Sequence, residues 1–71
     1  MSFHRDYNQA FNAAVHLARS LKRETGLEKV NSPIDGKGFV VHSLPKPENR
    51  YGFELRCQIV RPDEPLMPEN T

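Results

Sequence analysis

The sequence predicts an α+β domain: one amino-terminal amphipathic helix packed on a two- or three-stranded antiparallel sheet, in helix-strand-strand-strand order, with a disordered carboxy-terminal tail. Three observations predict it. Apolar residues recur every three or four positions between Phe3 and Thr25, alternate singly between Tyr51 and Val60, and give way after Arg61 to prolines spaced three apart. The first is the period of a helix, the second that of a strand with one buried face, and the third prevents regular backbone hydrogen bonding.

The helix is expected over residues 3–25. Tyr7, Phe11, Ala14, Val15, Ala18 and Leu21 form its apolar stripe, widened by Leu17, and no Gly or Pro interrupts it. Alanines at 10, 13, 14 and 18 favour helix intrinsically. Ser2 is the expected cap and Asp6 suits the positive amino end, while Lys22 and Arg23 suit the negative pole. Gly26 is expected to close the helix in a left-handed conformation, with Leu27 folding back on the last turn.

Beyond Leu27 the period changes. Residues 28–34 form a weak strand candidate limited by Pro33. Asp35-Gly36-Lys37-Gly38 reads as a turn, since its glycines supply positive-φ positions. Residues 38–44 read as a strand, Pro45–Arg50 as a loop, and residues 51–60 as the clearest strand, with Tyr51, Phe53, Leu55, Cys57 and Ile59 on one face. Sharing that face with Phe39 and Val41 requires Val41 opposite Phe53 and Phe39 opposite Leu55. One domain is therefore expected over residues 1–61, followed by a flexible, acidic, Pro-rich tail over 62–71.

Composition narrows the function classes. At 71 residues the chain has room for one core, and such small domains bury only about 60% of their unfolded surface, so self-association or a partner would add stability. Ten Lys and Arg nearly balance nine Asp and Glu. The tail holds Asp63, Glu64 and Glu69 and no base, so residues 1–61 are mildly basic. A single cysteine excludes an internal disulfide and points to a reducing, cytoplasmic setting. No segment approaches the roughly 20 apolar residues of a membrane span.

The chemistry-bearing residues do not form a recognisable motif. His4, His16, His42 and Cys57 lack the short-range spacing of metal ligands, so no metal or cofactor is expected. Cys57 belongs to an alternating apolar strand, where it behaves as a small hydrophobe, and the expected register turns His42 to the opposite face. No catalytic residue is assigned, and no enzyme or small-molecule substrate is expected. Gly36 and Gly38 join two strands, unlike a phosphate-binding loop. Lys37-Gly38-Phe39 begins like an RNA-binding sheet motif, but Val40 ends the match.

Two surfaces remain. Val40, His42, Leu44 and Val60 are expected on the sheet face away from the helix, where three of them form an apolar patch suited to a second copy or a larger protein. A non-enzymatic protein-interaction module is therefore the leading expectation. The rival is a nucleic-acid-binding accessory protein that contacts phosphates through His16, Arg19, Lys22 and Arg23.

Overall fold

The computed structural model describes residues 2–68. Its elements are β1 (Ser2–His4), α1 (Tyr7–Leu21), β2 (Thr25–Ser32), β3 (Gly36–Ser43), a 3-10 turn (Pro47–Asn49), α2 (Tyr51–Arg56) and β4 (Cys57–Val60). The α+β class is as the sequence predicts. The sheet, however, has four antiparallel strands in the order β1-β3-β2-β4.

The first helix is shorter at both ends than its apolar period suggests. Asp6, not Ser2, is the cap: its backbone is extended and its carboxylate accepts the Gln9 N–H at 2.9 Å. The preceding residues join the sheet instead, with Phe3 opposite Val40. At the other end Lys22 takes the left-handed conformation (φ 58°), and the Arg23 N–H donates to the Ala18 carbonyl at 3.1 Å. Gly26 thus plays no part in closing the helix. It lies inside β2, where an added Cβ would come within 3.0 Å of Cys57 Cβ and Leu44 Cδ2.

The β2–β3 hairpin runs from Thr25 opposite Ser43 to Ser32 opposite Gly36. Its loop is Pro33-Ile34-Asp35, earlier than the expected turn. Ser32 Oγ accepts the Ile34 and Asp35 N–H groups at 3.2 and 3.1 Å, and Gly36 supplies the positive φ of 82°. Gly38 is needed for a different reason. Its missing Cβ would lie 2.7 Å from Phe3 Cε2 and 2.8 Å from the His4 carbonyl oxygen, so it lets β1 approach β3.

The expected strand over 51–60 is instead a helical turn followed by a short strand. Arg50 and Glu54 form an i,i+4 ion pair at 2.7 Å, and the Glu54 N–H donates to the Arg50 carbonyl at 3.0 Å. Only Cys57–Val60 is extended, and it pairs with β2: Thr25 opposite Val60, Gly26 opposite Ile59, Leu27 opposite Gln58 and Glu28 opposite Cys57. The expected Val41–Phe53 and Phe39–Leu55 pairs do not form. Val60 therefore faces α1 and Cys57 the opposite side of the sheet, where it is still buried, the reverse of the sequence expectation.

One side of the sheet carries the main core. Ala10, Phe11, Ala14 and Val15 of α1 pack on Leu27, Val41 and Val60, with Tyr7 and Phe39 in edge-to-face contact beside them at 5.3 Å. Thr25 is fully buried there and its hydroxyl donates to the Ala14 carbonyl at 2.8 Å. On the opposite side Leu44 and Cys57 are buried beside Gly26, and Phe53 of α2 packs on His42.

Residues 62–68, expected as a solvated tail, run along α1. Buried Asn12 makes a two-point clamp on Met67, donating from Nδ2 to its carbonyl at 2.8 Å and accepting its N–H at 2.7 Å. Asn8 donates to the Pro68 carbonyl, and Arg19 to the carbonyls of Pro62 and Glu64. The backbone polar groups that prolines leave without a ladder are thus met by side chains of α1. The rest of the expected tail, 69–71, lies outside the described residues.

Two outcomes follow from this packing. Gly38→Ala drives a methyl group into Phe3 and the β1 backbone and is expected to cost about 1–3 kcal/mol in urea denaturation. Asn12→Asp sets a carboxylate oxygen against the Met67 carbonyl. It is expected to cost about 1–3 kcal/mol and to speed hydrogen exchange at the Met67 amide.

Candidate functional site

The inverted register of β4 assembles a polar cluster on the sheet face away from α1. Glu28 of β2 stands opposite Cys57 of β4, and Gly26, two residues earlier on the same face, stands opposite His42 of β3. His42 Nε2 lies 2.8 Å from Glu28 Oε1. One donor atom from each of Glu28, His42 and Cys57 falls within 4.8 Å of the other two. Gly26 makes room for this arrangement: its missing Cβ would lie 3.3 Å from Cys57 Sγ.

Helix α2 supplies the rim. The Phe53 ring packs 5.7 Å from the His42 ring, and the Arg56 guanidinium lies 5.3 Å over Phe53. Arg56 Nε is also 4.0 Å from Glu28 Oε2. Burial, reinforced by the Glu28 charge, pushes the Cys57 thiol above its ordinary pKa, with Arg56 opposing. The unassisted thiol is therefore a poor nucleophile at neutral pH, despite the nearby imidazole.

A second cluster anchors α2 to the sheet. Arg50 donates to Glu24 Oε1 and Glu54 Oε1, each at 2.7 Å, and both carboxylates raise its pKa. Arg61 lies 3.5 Å from Glu24 Oε2. These groups border an open groove of about 600 Å³ lined by Glu24, Arg50, Arg61, Asp63 and Glu64 among others. Among the described residues no buried side-chain nitrogen or oxygen lacks a hydrogen-bond partner.

The expected surfaces are only partly present. Val40 and His42 are half-buried on the outer face, whereas Leu44 is buried beside Gly26 and Val60 belongs to the core on the other side. The Val40–Leu44–Val60 patch therefore does not form. His16, Arg19, Lys22 and Arg23 are exposed, but Arg19 is engaged by the Pro62 and Glu64 carbonyls. Tyr51 and Leu55, expected inside the core, are 76% and 71% exposed one turn apart on α2.

No local spacing announces the His42–Cys57 proximity or the participation of Glu28, because the three lie on separate strands. The Arg50–Glu54 spacing was the available signal that helix, not strand, begins near residue 51. Among the described residues no helix is long and apolar enough to cross a membrane.

No protein-family model, curated protein or solved structure matches the chain.

The Cys57 environment sets a pH expectation. A raised folded-state thiol pKa stabilises the fold below the ordinary thiol range, and that contribution is lost as pH rises through the folded value. Iodoacetamide is expected to modify the metal-free folded protein at pH 8 about tenfold or more slowly than the urea-unfolded chain. Equal rates would show that the thiol is neither desolvated nor shielded.

Proposed function

We propose that the chain is a non-enzymatic protein-interaction module that binds an extended segment of a larger partner along the outer edge of β4 and the exposed side of α2. The observation that carries this reading is the exposure of Tyr51 and Leu55 beside an edge strand. Strand β4 is hydrogen-bonded to β2 on one side, which leaves its other edge as a template for strand addition.

Charge favours a different chain over a second copy. Arg56 and Arg61 flank β4, with side chains 58% and 68% exposed. Antiparallel pairing of two β4 strands with Cys57 opposite Val60 would set Arg56 against Arg61 at both ends. Directly opposed like charges are destabilising. A partner segment with an apolar residue between acidic ones meets both arginines and offers a side chain to Tyr51 and Leu55.

Panning a random-peptide display library on the immobilised protein tests the reading. The expected winners carry Asp or Glu around an apolar residue, lose binding at least tenfold to Leu55→Asp, and give way to basic peptides on Arg56→Glu/Arg61→Glu. Absence of enrichment, or enrichment indifferent to these changes, overturns it. Light scattering is expected to give a monomer; a dimer disrupted by Leu55→Asp would reassign the edge to a second copy. Low-salt retention on nucleic acid that depends on Lys22 and Arg23 would transfer the function to the basic end of α1.

A further inference from the structure

We propose that Glu28, His42 and Cys57 form a binding site for a divalent ion of the zinc class, held by one carboxylate oxygen, one imidazole nitrogen and one thiolate sulfur, with a fourth position open to solvent. This site does not rest on the docking surface proposed above, although Arg56 borders both. Three neighbouring strands position the donors, and one donor atom from each lies within 4.8 Å of the others. Around a tetrahedral zinc-class ion with bonds of about 2.0–2.3 Å, neighbouring donors stand roughly 3.5 Å apart. The 2.8 Å contact between His42 and Glu28 must therefore open slightly, and a separation as wide as 4.8 Å must contract by about 1.3 Å.

The site has room for that adjustment. His42 and Glu28 side chains are 18% and 24% exposed, so an ion can reach them from solvent, while Cys57 is buried at the inner end. Phe53 restricts the His42 ring from the side. The nearby Arg56 opposes a cation. It is 58% exposed and 4.0 Å from Glu28, so solvent screens its charge and its contact with the carboxylate is loose.

Charge and donor chemistry select the ion. A dipositive ion is balanced by one thiolate and one carboxylate, with the imidazole neutral, so the centre carries no net charge. Binding forms a metal–sulfur bond and releases the thiol proton to solvent. The mixed sulfur, nitrogen and oxygen donors suit zinc-class ions, whereas magnesium and calcium require oxygen ligands. The exchange also explains how a thiol that is inert alone can serve as a ligand: the ion sets positive charge directly on the sulfur.

Titration of the full chain with Co(II) and Zn(II) tests the site. One equivalent of Co(II) is expected to give a sulfur-to-cobalt charge-transfer band that Zn(II) abolishes. Cys57→Ala should lose the band, Glu28→Gln and His42→Gln should each weaken affinity about tenfold or more, and His4→Gln/His16→Gln should leave it intact. Zn(II) at a hundredfold excess over its dissociation constant should raise Tm by about 10 °C or more, and millimolar Mg(II) should not. Zn(II) protection of wild-type Cys57 from iodoacetamide provides a check that needs no variant. No thiolate band, no protection, or affinity unchanged in folded His42→Gln overturns the proposal.

Discussion

The structure depends on the pairing of β4 with β2. Four residue pairs, from Thr25–Val60 to Glu28–Cys57, decide which side chains of the last strand face α1 and which face α2. Val60 completes the apolar layer under α1, and Cys57 enters the polar layer containing Glu28 and His42. Since side chains alternate along a strand, a shift of one residue would exchange these roles. Gln58 would leave its 3.0 Å hydrogen bond with Tyr7, and the core would lose Val60.

The sequence is informative where one physical signal dominates. The period from Tyr7 to Ala18 reports the buried face of α1, and the polar residues around Gly36 mark a hairpin between two runs of strand-forming residues. It is less informative from residue 51 onward, where two patterns overlap. Tyr51, Phe53, Leu55, Cys57 and Ile59 alternate as a strand would, but the first three belong to a helix. There, Phe53 turns to His42 while Tyr51 and Leu55 point outward. The Arg50–Glu54 ion pair and the Glu54 N–H bond to the Arg50 carbonyl favour helix locally; the alternation counts only the pairing period.

Two signals also compete at the termini. Ser2 and Asp6 both have capping chemistry, and the choice between them is made by Gly38, whose bare Cα admits β1 beside β3 and so removes residues 2–4 from the helix. Prolines in the tail prevent a ladder but do not prevent ordered contact. Asn8, Asn12 and Arg19 meet the Pro68, Met67, Pro62 and Glu64 carbonyls without requiring a regular backbone. The same use of Arg19 draws a basic side chain away from the surface first read as a phosphate contact.

The polar cluster also follows from tertiary pairing, which explains why local ligand spacing gave no sign of it. Glu28 and His42 are 14 positions apart, and Cys57 comes a further 15 positions along the chain. Hairpin closure brings Glu28 near His42, but only the β2–β4 register adds sulfur to the same face. Gly26 links this polar layer to packing: a larger residue would meet both Cys57 and Leu44, pressing on the donor and on the buried side chain beneath α2. Space at Gly26, inward packing of Val60 and the Tyr7–Gln58 hydrogen bond therefore favour one strand register from both sides of the sheet, and that agreement places a weakly acidic thiol beside an imidazole and a carboxylate.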